Sequence, residues 1–345
     1  MRALALGAVG GLEHVAVREL PRPVLEGPND VLVRVHAAAL NRLDLFVADG
    51  LPGVPLTFPH IVGSDGAGIV DSVGPGVRHF RPGDRVMFNP GLSCGRCPAC
   101  LDGEESLCAS FGVLGEHRSG TAADYVVLPA ENLAPVPADM PWAEAAAFSL
   151  ATLTAWRMLT TRAALRAGET VLIWGIGGGV SMAALQVARL LDAHTIVTSG
   201  SDAKLAVARG RGAEAALNHA TADVVSEVRR LTGGRGADVV VDSVGQARWQ
   251  ESLRALRRGG RMTICGATTG PMVSIDLRRL FWHQWSLLGS TLGNRREYAE
   301  VVRLAHQGRL WPVVDQVVPL AAGPAALGRL SRGEQVGKLV IEVAT

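Results

Sequence analysis

Between Thr170 and Leu191 the chain runs from a short apolar segment, Thr-Val-Leu-Ile-Trp, through Gly175-Ile176-Gly177-Gly178-Gly179, into Val180-Ser181-Met182-Ala183-Ala184-Leu185 and on to Leu191. The apolar segment has the length and character of a buried parallel strand. The last part places Ala and Leu at helical spacing. Glycines fill the junction. Strand, glycine turn and helix together form the dinucleotide-binding unit, in which bare backbone approaches a pyrophosphate at a helix N-terminus. A strict G-x-G-x-x-G would carry glycine where Val180 stands. The competing explanation is an ordinary turn between strand and helix. The strand and helix context favours phosphate binding by Gly175, Gly177, Gly178, Gly179 and the backbone of Val180.

With 345 residues, 48% of them apolar and 19% charged, the chain can bury a large core in one or two domains. A net charge of +2 gives no field suited to nucleic acid or an anionic membrane. No apolar run reaches the length of a membrane span. The opening Met1-Arg2-Ala3-Leu4-Ala5-Leu6-Gly7 is too short for a signal segment and reads as a first strand. A cytoplasmic protein with a small-molecule substrate is expected, partnered by neither nucleic acid nor membrane.

Residues 1 to about 135 read as short strands punctuated by Gly and Pro, which suggests a distorted barrel. From Pro141 the texture changes. An Ala-rich helix over 142–159 leads into alternating strands and helices: 171–174, 180–191, 195–198, 202–209, 215–218, 224–231, 239–242, 249–256 and 261–265. That alternation predicts a parallel sheet covered on both faces. A helix near 295–307 and strand-like pieces at 313–318 and 338–343 follow, and periodicity alone does not place them.

Cys94, Cys97, Cys100 and Cys108 stand in one loop with spacing C-x2-C-x2-C-x7-C, among turn residues Gly91, Gly95, Pro98 and Gly103. Four thiolates close a tetrahedral shell around Zn²⁺ and leave no position for substrate, so the site reads as structural zinc. An iron–sulfur cluster and four reduced thiols are the alternatives. Cys265 stands apart, in a predicted strand, and reads as core.

An acidic residue at the tip of the second strand would hold the ribose diol of NAD. Here the tip reads Thr198-Ser199-Gly200-Ser201, with Lys204 following. Small hydroxyls and a cation suit a 2′-phosphate, so NADP is expected, with NAD possible. Asp202 fits the first turn of the next helix instead. Gly245 and Gly266, at the ends of later strands, lie where the ligand crevice of such a sheet opens.

The β-rich half, the cysteine lobe and the nucleotide fold together resemble the medium-chain dehydrogenase/reductase superfamily of zinc-type alcohol dehydrogenases and quinone oxidoreductases. The carriers are Gly63-Ser64-Asp65-Gly66-Ala67-Gly68, Pro82-Gly83-Asp84-Arg85-Val86, the cysteine lobe, Leu153-Thr154-Ala155-Trp156, the glycine loop and Gly337-Lys338. The resemblance implies an α/β chain in which a Rossmann sheet (residues 151–289) is inserted in a GroES-like catalytic domain (residues 1–150 and 290–345, zinc lobe at 91–110). It also implies a homodimer or homotetramer. By the same resemblance Arg42 reaches the pyrophosphate, Thr154 packs behind the nicotinamide, and His219 flanks the 2′-phosphate.

The zinc alcohol dehydrogenases hold a catalytic zinc with Cys, His (followed by Glu) and Cys. The matching positions here are Asn41, Ser64 (followed by Asp65) and Leu150, and the hydroxyl that starts the proton relay is matched by Leu43. With no Lewis acid, little lowers an alcohol's pKa. The pattern Asn41-x-x-Asp44 instead resembles the zinc-free quinone and enone reductases. Asn41 or Ser64 would donate to the developing oxyanion, with Asp44 orienting them. The expected activity is NADPH-dependent reduction of an activated alkene, enone or quinone. Two alternatives stand. One is an alcohol dehydrogenase or carbonyl reductase with a metal site rebuilt from His60, Asp44, Asp65 and Glu116-His117. The other is a non-catalytic nucleotide-binding protein. Phe46, Trp156, Trp282 and Trp285 are candidates for an apolar pocket or for core.

Overall fold

The computed structural model describes residues 1–344 and divides the chain into two compact units. One is Met1–Leu150 with the chain from Asn294 onward; the other is Ala151–Gly293. The second crossing falls a few residues later than the sequence suggests, at a helix start. There Asn294 accepts from Glu297 N, and the Glu297 side chain accepts from Asn294 N, a reciprocal cap for Arg295–His306.

The inserted unit is a six-stranded, all-parallel sheet. Its spatial order is Ala215–Asn218, His194–Ser199, Thr170–Ile173, Ala237–Asp242, Leu256–Ile264, Ser286–Gly289. In chain order this is 3-2-1-4-5-6, the doubly wound arrangement. The two central strands are buried along their whole length, as helices on both faces require. Leu172, Trp174, Ile196, Val240 and Met262 form the middle of this core. The short helix Leu277–His283 and the edge strand Ser286–Gly289 carry no clear periodicity, and sequence reading leaves them out.

The other unit is β-rich. Its main sheet runs Leu133–Pro135, Arg85–Phe88, Asp65–Val73, Asp30–Ala39, Lys338–Glu342, Val314–Pro319, with Tyr125–Pro129 also paired to Asp30–Ala39. Lys338–Glu342, from the far end of the chain, lies antiparallel to Asp30–Ala39, so the two chain ends share one sheet and one core. The glycines of Asp65–Val73 make room for neighbours. A Cβ at Gly68 would stand 2.2 Å from the Arg34 carbonyl oxygen, and one at Gly66 would stand 2.6 Å from the Phe88 ring. Among the described residues no helix is long and apolar enough to cross a membrane.

Candidate functional site

In the β-rich unit three neighbouring strands bring polar residues to one place. Asn41 follows Asp30–Ala39 and starts the helix Arg42–Asp49, Asp65 opens Asp65–Val73, and Lys338 opens Lys338–Glu342. Ala39 pairs with Asp65 on one side and Val340 on the other, so the ends of all three strands meet. Lys338 Nζ lies 2.8 Å from Asp65 Oδ2 and also donates to Asn41 Oδ1. Asn41 Nδ2 donates to the same Asp65 oxygen at 3.0 Å, and Leu150 N donates to Asp65 Oδ1 at 2.7 Å. Lysine and aspartate are 4% and 0% exposed, so the pair has left water. Desolvation of such a pair is offset by the hydrogen bonds it makes: two from Lys338 Nζ, and two further ones, from Asn41 Nδ2 and Leu150 N, to Asp65.

Asp44 sits beside this network and accepts from Asn41 N (2.7 Å) and Gly63 N (2.8 Å). Gly63 takes φ of +95°, a backbone conformation that favours glycine. Burial pushes the Asp44 carboxyl up to about 6, against the two N–H groups and Lys338, with Asp65 adding to the rise. Ser64 is fully buried, and its Oγ has no hydrogen-bond partner among the described residues. Buried hydroxyls are normally paired, so this one stands out beside the network. Nearby in sequence to Leu150, the Ser149 hydroxyl lies 3.1 Å from the Tyr298 hydroxyl, and burial raises the Tyr298 pKa.

The amide of Asn41 is therefore occupied: its NH2 donates to Asp65 and, at 3.4 Å, to Ala39 O, while its oxygen accepts from Lys338. Leu150 contributes a backbone N–H. Leu43 packs against the apolar core. His60 Nε2 lies 3.1 Å from Gly115 O, and His117 Nδ1 accepts from Val113 N at 3.3 Å. Sequence reading missed the role of Lys338. A cation opening the apolar run Leu-Val-Ile was its signal, and only the strand pairing gives it Asp65 as a partner.

In the cysteine lobe the Sγ atoms of Cys94 and Cys100 are 3.9 Å apart, those of Cys97 and Cys100 3.6 Å, and those of Cys108 and Cys94 3.6 Å. A zinc–thiolate bond of about 2.3 Å gives tetrahedral edges of about 3.8 Å, so the donor set fits zinc without rearrangement. Backbone N–H groups of Cys97 and Ser110 point at the Cys94 and Cys108 sulfurs. Gly95 and Gly103, at φ of +70° and +76°, make the turns. Arg295 ties the lobe down through Glu105 and Ser93, and also binds Glu131 outside it. Among the described residues these four cysteines are the one set of three or more His, Cys, Asp or Glu whose ligand atoms all lie within 4.8 Å. Cys265 lies in the other unit, its thiol pushed up to about 12 by burial and then by Asp242.

In the inserted unit Gly178 caps the helix Gly179–Leu190 and has no side chain to take up the first-turn N–H groups. Gly175 and Gly177 adopt φ of +66° and +117°. A Cβ at Gly177 would stand 2.7 Å from Lys204 Cδ, so this lysine lies over the glycine loop. The hydroxyl of Ser199 accepts from Ser201 N at 3.1 Å, and Ser201 caps the helix Asp202–Gly210. Asp202 binds Asn218 Nδ2 at 2.8 Å. His219 lies against Gly200 with Nδ1 3.3 Å from Thr198 Oγ1, and burial followed by Arg248 lowers its pKa. Gly245, at φ of +82°, donates to Asp242 Oδ1. Gly266 follows the fifth strand of the order, as Gly245 follows the fourth. Thr154 is buried in the helix Trp142–Arg157, and Arg42 is half-buried. The loop is a cradle that side chains would fill, beside a cation, and it suits a dinucleotide phosphate.

A doubly wound nucleotide unit inserted in a β-rich unit with a four-thiol lobe defines the class of two-domain dehydrogenases. Residues 27–138 match the alcohol dehydrogenase GroES-like domain, and residues 179–307 match the zinc-binding dehydrogenase domain. An alcohol dehydrogenase of Geobacillus stearothermophilus is 30% identical over 329 residues, covering 95% of this chain and 96% of that protein. A crotonyl-CoA reductase of Streptomyces collinus is 31% identical over 369 residues, covering 95% of this chain and 81% of that protein. A crystal structure of an NAD-dependent alcohol dehydrogenase superposes with a TM-score of 0.96 at 46% identity, covering 100% of each chain. The chain belongs to the medium-chain dehydrogenase/reductase superfamily, a superfamily of oxidoreductases.

Proposed function

We propose that this oxidoreductase reduces an activated carbon–carbon double bond, in an enone, quinone or unsaturated acyl ester, with NADPH and without a catalytic metal. The observation that carries the proposal is the Lys338–Asp65–Asn41 network. At the positions where the zinc relatives are expected to hold thiolate and imidazole stand Asn41, tied into this network, and Ser64, next to its Asp65. Homology to a crotonyl-CoA reductase supports an alkene substrate.

When bound, the nicotinamide supplies a hydride. The electron pair displaced from the double bond goes to the conjugated oxygen, and a solvent proton completes the saturated carbon. Ser64 Oγ–H, buried and unpaired, donates to that oxygen. Asn41 acts by holding Asp65 and Lys338, and Asp44 by fixing the turn at Gly63. Lys338, paired with Asp65, holds the network in place rather than adding net charge to the site. The cofactor's phosphates would rest on Gly175–Gly179, with Lys204 and the Ser199–Ser201 turn toward a 2′-phosphate. The cysteine lobe would hold one structural zinc.

Absorbance at 340 nm with panels of enones, quinones, acyl-CoA esters and alcohols tests the reaction. Ser64→Ala should lower kcat by about 10²-fold while cofactor affinity holds. Turnover of alcohols alone, lost on mild metal exchange and restored by Zn²⁺, would instead establish the alcohol dehydrogenase named among the relatives. Tight cofactor binding with no turnover on any panel would leave the non-catalytic alternative. Lys204→Ala should weaken NADPH and spare NADH; equal weakening, or wild-type preference for NADH, overturns the cofactor assignment.

A further inference from the structure

The glycine loop lies beyond the C-terminal ends of the parallel strands. At the opposite, N-terminal end of the same sheet, where Ala237–Asp242 and Leu256–Ile264 begin, is a separate cavity of about 450 Å³. Arg229, Arg235, Arg257, Arg258 and Arg279 line it, and neither Asp nor Glu does. Arg257 is neutralised by Asp238. The other four have no carboxylate partner among the described residues. Arg229 donates to the carbonyls of Gly234 and Arg254, and Arg279 lies over the Trp285 ring at 5.6 Å.

Four like charges around one concavity repel each other, and surfaces normally intersperse the two signs. The same crowding reaches His283, also in the lining and stacked on Trp285. Burial first, then Arg258, Arg279 and Arg229, lower its pKa. A volume of this size suits a small organic ligand rather than a single inorganic ion. Guanidinium groups are the side chains that recognise phosphate through paired N–H donors.

We propose that this cavity is a second anion site, distinct from the glycine loop, that binds a polyphosphate-bearing ligand: a nucleoside polyphosphate or a free inorganic polyphosphate. The proposal does not depend on the substrate or cofactor assigned above.

Equilibrium dialysis of the full chain at fixed ionic strength, with the nicotinamide cofactor saturating, tests it with tripolyphosphate and ATP as probes. At least one probe should bind at one equivalent per chain. Tighter ATP identifies a nucleotide ligand, and equal affinities identify the phosphate chain as the part recognised. Arg258→Gln with Arg235→Gln, two exposed residues whose loss leaves no carboxylate unpaired, should weaken binding at least tenfold. Arg309→Gln, an exposed control elsewhere, should leave it unchanged. Absence of binding by either probe, displacement by the nicotinamide cofactor, or unchanged affinity in the double variant would overturn the site.

Discussion

Lys338 and Asp65 show how much a single buried residue can carry. Removing one partner of a buried pair leaves the other charge uncompensated, which typically costs about 3–5 kcal/mol. Lys338→Met should therefore lower unfolding free energy by about that much in urea, and adding Asp65→Leu should recover part of it. A loss under about 1 kcal/mol would mean the pair is hydrated. Asp44 makes a pH prediction. Its native carboxyl titrates near 6, and that of the unfolded chain near 3.8. Between those values the native state keeps a proton that the unfolded state has lost. The stability linked to Asp44 thus falls as pH rises through this window and levels off above it. Wild type minus Asp44→Asn, compared at pH 4, 5, 6 and 7, should decline across the series; a flat difference contradicts the shift.

At the scale of elements, the cysteine lobe is a closed unit of four thiols whose order would depend on a bound zinc. Four sulfurs at tetrahedral spacing predict one zinc per chain by elemental analysis. Cys97→Ser should release it and raise protease sensitivity within 91–110, because metal binding and local folding are one equilibrium. Zinc retained in Cys97→Ser would point to a different ligand set. Strand order, rather than any motif, builds the polar site: a one-residue slip of Lys338–Glu342 against Asp30–Ala39 would turn Lys338 to the opposite face of the sheet.

For the whole molecule, the sheet of the inserted unit ends in the edge strand Ser286–Gly289, paired on one side only and close in sequence to the exposed Leu277, Phe281 and Trp282. A free edge beside apolar side chains is a surface that proteins cover. The expected homo-oligomer would form here, a second copy pairing edge to edge about a two-fold axis. Sedimentation should give a dimer or tetramer for wild type and a smaller species for Phe281→Glu. An unchanged oligomer would move the interface elsewhere.

The inserted unit was legible in the sequence because its signals are local. Buried central strands read as continuous apolar runs, glycines mark the phosphate turn, and the helices between them keep their period. The cysteine lobe was legible for the same reason, with four thiols inside fifteen residues of chain, Cys94 to Cys108. Tertiary structure alone decided the polar site. Asn41, Asp65 and Lys338 are remote in sequence, and neither spacing nor composition says that their strands are neighbours. That pairing turned Asn41 from a free amide into a member of an ion-pair network and left Ser64 with the open hydroxyl. The arginine cavity is of the same kind: five residues unremarkable one by one come together only when the C-terminal end of the helix Val224–Leu231, the loop after it, the start of Leu256–Ile264 and the short helix Leu277–His283 converge. Local propensity fixes elements; long-range pairing fixes which charges must share a low-dielectric space.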